Sequence, residues 1–487
     1  MTDSTSHGRP AGAGNLLREQ RIARQRQFRR HAQRRRVVSI ATLAAAFSLF
    51  ALYIAWLEAH GTSSAHGDES PLAAAVARGP EAANGADSVE LVKRGEYLAR
   101  AGGCITCHTS DKSRPFAGGV AIGTPIGTIY TPNITPDPDT GIGQWGDADF
   151  LRAMHEGIGK AGERLYPVFP YPSYTKVLDR DVLAIRAYLN TVTPVHYTPP
   201  ANELTFPFNQ RWLMVIWNLF NFDEGRYVPD PKQSAEWNRG AYLVEGLAHC
   251  GECHTPRNVM QGLNAHDRFS GARQAGWHAF NITPDKISGI GDWSAADLVA
   301  YLATGVAPRR ASAAGPMAQV VEDSTQYLSG EDLRSIAGYL RALPPVRGGV
   351  GGDMSAARDS HGAPAADVTA LRGMATTGVN GAQLFIANCA SCHGWTGEGI
   401  GAGAPGGYPS LIHNSVAGAA DPANLAMVIL HGVSRKTQQA EVLMPSFSSQ
   451  LTDDQIAALA RYVMTQFGNP HSSLTAAQVA QLRALQP

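Results

Sequence analysis

Cysteine is scarce in this sequence and none of it is spare. The 487 residues hold six, all in three close pairs: Cys104/Cys107, Cys250/Cys253 and Cys389/Cys392. A zinc site built on any one pair would need two further ligands, and no cysteine remains to supply them. Charge is also sparse, at 17% of residues, and balanced, with 41 basic against 41 acidic side chains. No nucleotide-binding glycine loop, flavin fingerprint or paired nucleophile and base occurs. These absences place any substrate chemistry outside this chain.

What is abundant is glycine and proline, 51 and 30 residues, beside 44% apolar residues. Such a composition supports real cores built from short elements and many loops. The length suits about three domains at roughly 150 residues each. The balanced total conceals an asymmetry, because residues 1–36 carry ten arginines against only Asp3 and Glu19. A basic block of this kind would suit nucleic acid, but residues 37–57 follow it as VVSIATLAAAFSLFALYIAWL, without a charge. As a helix that run would span about 31 Å, close to a bilayer's hydrocarbon core. Tyr53 and Trp56 sit near its far end, where interfacial aromatics belong. The expectation is an uncleaved single-pass anchor in the inner (cytoplasmic) membrane, with the arginines in the cytoplasm and the remainder in the periplasm. A cleaved signal peptide is the alternative, with Ser63-Ser64-Ala65 as a weak cleavage pattern. Either way the body is exported, and no nucleic-acid partner is expected.

An even cysteine count in an exported protein ordinarily suggests disulfides. Here a histidine follows each pair: Cys104-Ile-Thr-Cys107-His108, Cys250-Gly-Glu-Cys253-His254 and Cys389-Ala-Ser-Cys392-His393. Cys-x-x-Cys-His is the attachment pattern for c-type haem. The two thiols add to porphyrin vinyl groups, and the adjacent histidine becomes the proximal iron ligand. A redox dithiol would not require a histidine after every pair. Three covalently bound haem c groups are predicted, with His108, His254 and His393 on iron. Of the other histidines only His249 is held close to a motif by sequence, and it is expected to be a neighbour rather than a ligand.

The pattern repeats beyond the motifs. Arg94-Gly95-Glu96-Tyr97-Leu98 matches Arg239-Gly240-Ala241-Tyr242-Leu243, and Asn133-Ile134-Thr135-Pro136-Asp137 recurs as Asn281-Ile282-Thr283-Pro284-Asp285. Each copy is expected to open on a short helix (Gly95/Tyr97, Gly240/Tyr242, Gly381/Leu384). Each closes on an amphipathic one, over Asp181–Leu189, Asp332–Leu340 and Asp453–Val463, bearing Tyr188, Tyr339 and Tyr462. This resembles the class I cytochrome c fold, in which first and last helices cross at a glycine. The predicted fold class is therefore mainly α: three tandem class I cytochrome c-like domains after an N-terminal transmembrane helix. Such a domain should offer a methionine on a loop before its closing helix. Met317, in Gly315-Pro316-Met317, and Met444, in Leu443-Met444-Pro445, fill that role as sixth ligands of the second and third irons. The first copy reads Tyr166-Pro167-Val168-Phe169-Pro170-Tyr171 there. Met154 aligns with Leu302 and Ile429 as a helix-core residue, which leaves His155, His196 or an open position.

The expected organisation is a basic segment (1–36), anchor (37–57), tether (58–88) and cytochrome c domain 1 (89–200). An aromatic interdomain segment (201–232), domain 2 (233–345), a linker (346–379), domain 3 (380–470) and a tail (471–487) follow. The Gly-rich linker suggests some independence for domain 3. The aromatic segment, Phe206 to Phe220, suits packing between domains or docking onto a membrane or partner.

On these features the chain resembles the triple-haem cytochrome c subunits of bacterial membrane-bound dehydrogenases, over roughly residues 90–470. The three motifs, the paired Asn-Ile-Thr-Pro-Asp segments, Leu165 to Tyr174 and Phe208-Asn209-Gln210-Arg211-Trp212 carry the resemblance. It implies a separate catalytic dehydrogenase subunit of flavin, quinone-cofactor or molybdenum type. Electrons would pass through the haems to ubiquinone or a terminal oxidase. The long arginine-rich N-terminus departs from the family pattern. Rival readings are a peroxidase-like haem enzyme using the first haem, and a stand-alone shuttle to an oxidase.

Overall fold

A computed structural model describes residues 88–348, 362–365, 378–404 and 406–485. The predicted basic segment, the anchor and all but the end of the tether lie outside them, as does most of the linker. Among the described residues no helix is long and apolar enough to cross a membrane.

The chain is mainly helical, with short antiparallel ladders at the loop bases. Helix α1 (Ser88–Ala101) leads into the first cysteine turn, followed by strands β1 (Ala121–Thr124) and β2 (Gly127–Tyr130), then α2 (Asp147–Glu156) and α3 (Asp179–Leu189). Strand β3 (Glu203–Leu204) pairs with β2, and α4 (Leu213–Asn221) follows. Next come α5 (Ala235–Tyr242), hairpin β4 (Ala272–Gln274) with β5 (Trp277–Ala279), α6 (Ala295–Thr304), hairpin β6 (Val306–Ala307) with β7 (Ala311–Ser312), α7 (Gly315–Asp323) and α8 (Gly330–Ala342). The last part holds α9 (Gly381–Asn388), α10 (Ala423–His431), hairpin β8 (Val433–Lys436) with β9 (Glu441–Met444), α11 (Asp453–Phe467) and α12 (Ala476–Arg483). Helix starts follow local chemistry: Ser329 accepts from the Asp332 amide, and Thr452 with Gln455 forms a reciprocal cap.

Three pairs of opening and closing helices, α1/α3, α5/α8 and α9/α11, pack on one another. Each crosses at a glycine that no other residue can replace without a clash. A Cβ on Gly95 would lie 1.9 Å from the Ala184 carbonyl oxygen, one on Gly240 2.0 Å from that of Ser335, and one on Gly381 2.1 Å from that of Ala458. The tyrosine four residues on from each contacted carbonyl packs over the crossing and meets a ring: Tyr188 on Phe116, Tyr339 on Trp237 and Tyr462 on Phe385.

The first two helix pairs share one apolar core, which runs from Leu98, Val182 and Ile185 through Tyr242 and Leu247 to Ile336. A buried polar lattice related by an approximate two-fold joins them. Arg94 Nε donates to Asp181 at 3.0 Å, and Arg239 Nε to Asp332 at 2.8 Å. Across the interface the Tyr97 hydroxyl donates to Asp332 (2.5 Å) and the Tyr242 hydroxyl to Asp181 (2.6 Å). Each hydroxyl in turn accepts a backbone N–H, from Ser329 and Leu178 respectively.

The third pair has its own core, around Phe385, Ile456 and Phe467, yet it is not loosely hung. Asn424 and the His278 backbone exchange hydrogen bonds of 2.7 and 2.8 Å. Arg435 of β8 is fully buried and donates to the Ala313 carbonyl. The independence suggested by the Gly-rich linker is therefore corrected by contacts far from it in sequence.

Two outcomes are expected. Asp332→Asn leaves the buried Arg239 without its counter-charge and should destabilise the folded protein by about 3–5 kcal/mol in denaturant titration. Burial, and then the Asp332 carboxylate, push the Tyr97 hydroxyl from 10.0 to about 12. A raised folded pKa stabilises below the ordinary value and is lost above it. Unfolding free energy should therefore fall between about pH 10 and 12, and fall less steeply in Tyr97→Phe.

Candidate haem attachment sites

All six cysteines are unpaired with one another. They lie on single helical turns, Cys104–Cys107, Gly251–His254 with Cys250 as its cap, and Ala390–His393 with Cys389 as its cap. One turn sets the two sulfurs of each pair on the same side, as attachment to one porphyrin edge needs. Burial pushes the Cys104, Cys250 and Cys389 thiols up to about 12, each also feeling its own partner thiol. A redox dithiol requires the opposite shift. Among the described residues no three His, Cys, Asp or Glu side chains converge to hold a metal ion as zinc would need.

Each motif histidine is oriented in the same way. Nδ1 of His108 meets the Pro132 carbonyl at 2.8 Å, that of His254 the Phe280 carbonyl at 2.6 Å, and that of His393 the Pro409 carbonyl at 2.9 Å. A carbonyl only accepts, so Nδ1 carries the proton and the Nε2 lone pair is the coordinating one. Burial lowers the pKa of His108 and His393, keeping the imidazole neutral. Donor set, tautomer and thiol placement therefore fit a haem iron.

The repeated Asn-Ile-Thr-Pro-Asp segments hold those carbonyls in place. Asn133 directly follows Pro132; its side chain accepts from the Thr135 amide and donates to the Val195 carbonyl at 2.8 Å. Asn281, directly after Phe280, accepts from Thr283 and donates to the Val346 carbonyl at 2.8 Å. Asp137 and Asp285 close the next turn by accepting the Thr140 and Ser288 amides, each at 2.7 Å.

Met317 does not lie on a loop, as the sequence suggested. It occupies the first turn of α7, where Pro316 needs no amide partner and so starts the helix. Met444 ends strand β9, paired with Val433, and packs against the core that Cys389 also touches. Met154 is buried in α2 as expected. Of the alternatives for the first motif, His155 is 1% exposed with Nε2 on the Val177 carbonyl, and His196 is 72% exposed beside Asp137.

The first two sites adjoin, and α7 links them to the hairpin that carries Met444. Burial and Glu252 raise the Cys253 thiol, Arg257 opposes them, and Cys107 of the first motif adds to the rise. Ser173 donates to Glu252 inside the second motif, and His249 packs on Tyr174 with Nε2 3.3 Å from the Gly102 carbonyl. His249 is thus a contact residue between the first two motifs. Thr106 of the first motif donates to Asp323, on the helix of Met317, and that helix packs on β8 beside Met444's strand. Sequence reasoning missed the crossed Tyr97–Asp332 and Tyr242–Asp181 bonds, although the repeated Arg-Gly-x-Tyr blocks signalled paired surroundings.

The aromatic stretch takes up the expected packing role in part. Met214 and Trp217 are buried, with Trp217 donating to the Met260 carbonyl, while Phe206, Trp212 and Phe220 are exposed.

Helix crossings at glycine over oriented Cys-x-x-Cys-His turns define a c-type cytochrome. A cytochrome c family model matches residues 378–467. The fructose dehydrogenase cytochrome subunit of Gluconobacter japonicus is 42% identical over 81% of this chain and 82% of its own. The gluconate 2-dehydrogenase cytochrome c subunit of Pantoea cypripedii is 38% identical over 81% and 89%. A diheme cytochrome c-type protein of Cereibacter sphaeroides is 41% identical over 52% of this chain and 86% of its own. The chain belongs to the family of cytochrome c subunits of bacterial dehydrogenases.

Asn281→Ala should free the carbonyl that orients His254 and cost about 1–3 kcal/mol in denaturant unfolding, from the buried groups left unpaired.

Proposed function

We propose that this chain is the electron-transfer subunit of a periplasmic dehydrogenase complex and carries three haem c groups. Cytochrome c-like domains at 89–200, 233–345 and 380–470 hold them. Cys104 and Cys107, Cys250 and Cys253, and Cys389 and Cys392 form the thioethers. His108, His254 and His393 are the proximal ligands, and Met317 and Met444 the sixth ligands of the second and third irons. The observation that carries this reading is the thrice-repeated geometry of a motif histidine whose Nδ1 faces a backbone carbonyl.

When bound, haem c supplies a one-electron iron couple whose reduced form methionine favours. The chain's own residues set where those couples stand. The Ser173–Glu252, His249–Gly102 and Thr106–Asp323 contacts hold the first and second motifs together. The buried Arg435 ties the third segment to the second. In this reading a catalytic subunit of flavin, quinone-cofactor or molybdenum type oxidises the substrate, and ubiquinone or a terminal oxidase accepts the electrons. Residues 37–57 anchor the chain in the inner membrane. The relatives are named as subunits of fructose and gluconate dehydrogenases, which supports a catalytic partner here.

The test is a pyridine haemochrome count on the purified full-length chain. Three haems per chain are expected in the wild type, and two in Cys389→Ala/Cys392→Ala. One or two in the wild type would overturn the reading.

A further inference from the structure

The first and second segments can be placed in register by backbone hydrogen bonds alone. Leu165 N donates to the Gly157 carbonyl at 2.8 Å, and Ala313 N donates to the Gly305 carbonyl at 2.7 Å. The bridge of Ile158 to Arg164 matches the pairing of Val306 with Ser312. Four residues beyond these anchors stand Phe169 in the first segment and Met317 in the second. Counted back from the closing helices, Tyr171-Pro172-Ser173-Tyr174 before Leu178 matches Met444-Pro445-Ser446-Phe447 before Leu451. The forward count thus sets Phe169 opposite Met317, and the backward count sets Tyr171, two residues on, opposite Met444, an aromatic ring in either case.

Those rings are committed. Tyr171 is 0% exposed with its hydroxyl on Asn218 at 2.5 Å, among Met214 and Trp217. Phe169 stacks edge-on against Tyr174 at 5.4 Å, and Tyr174 reaches the Gly102 carbonyl just before Cys104. Phe169 and Cys104 pack against the same apolar cluster. The histidines nearest in sequence are turned to other work: Nε2 of His155 engages a carbonyl, and His196 sits outside beside Asp137.

We infer that the haem on His108 has Phe169 in place of a sulfur ligand and is a binding site for a small uncharged diatomic molecule of the carbon monoxide class. An apolar ring offers an anion nothing, while a neutral diatomic needs no charged partner there. This rests on the three-haem reading. For want of methionine, the first haem also has the lowest potential of the three.

The experiment takes dithionite-reduced full-length protein with and without carbon monoxide, alongside a pyridine haemochrome count. The wild type should shift one third of its haem. Phe169→Met should abolish the shift and raise the lowest potential in a redox titration. Met317→Ala and Met444→Ala should each extend the shift to two thirds, which keeps the test independent of whether Phe169→Met folds. Three haems per chain with no carbon monoxide shift would overturn the inference alone. So would a one-third shift that survives Phe169→Met, or one that fails to grow in either methionine variant. A count below three would instead be the failure of the three-haem reading.

Discussion

Everything in this molecule hangs from a backbone approach that leaves no room for a side chain. Gly95, Gly240 and Gly381 lie so close to a carbonyl of the closing helix that even a methyl group would overlap it. Two helices that touch backbone to backbone cannot slide, so the closing helix is held in register with the cysteine turn that follows the opening one. The register then puts Asp181 and Asp332 within reach of Arg94 and Arg239, one residue before the glycines. A buried ion pair at Asp332 and a half-buried one at Asp181 result, and each is completed from across the interface by a tyrosine of the other segment.

That crossed pairing makes the first two segments one body rather than two beads. A desolvated carboxylate is costly unless its lone pairs are met. Asp332 gains an arginine and a tyrosine, Asp181 likewise, and neither set is complete within one segment. The third segment joins by different means, a buried arginine on backbone carbonyl and a reciprocal asparagine–backbone contact.

The site chemistry depends on a carbonyl held in place. A hydrogen bond from the other ring nitrogen fixes a histidine's tautomer and orientation, and here the acceptor comes from a distant loop. The Asn-Ile-Thr-Pro-Asp segments stand out in the sequence because they brace this loop: asparagine spans the turn to the chain beyond the closing helix, and aspartate closes the next one.

The sequence by itself determined what rests on local chemistry. The cysteine and histidine spacing, the capping Ser329 and Thr452 and the helical phase of Met154 are legible because each depends on residues within a few turns, and the crossing glycines are legible because the blocks that hold them repeat. The lack of a methionine in the Tyr166–Tyr171 stretch is legible too. Tertiary structure alone decided the rest. Met317 is helical because Pro316 sits where a helix may begin, which a Gly-Pro pair also permits in a loop. Arg435 carries no pattern marking it as buried, since its partner is a backbone carbonyl 122 residues away. The crossed tyrosine bonds likewise join groups 235 and 61 residues apart. Neither distance leaves a period or spacing to read, and only the packed fold brings such groups together.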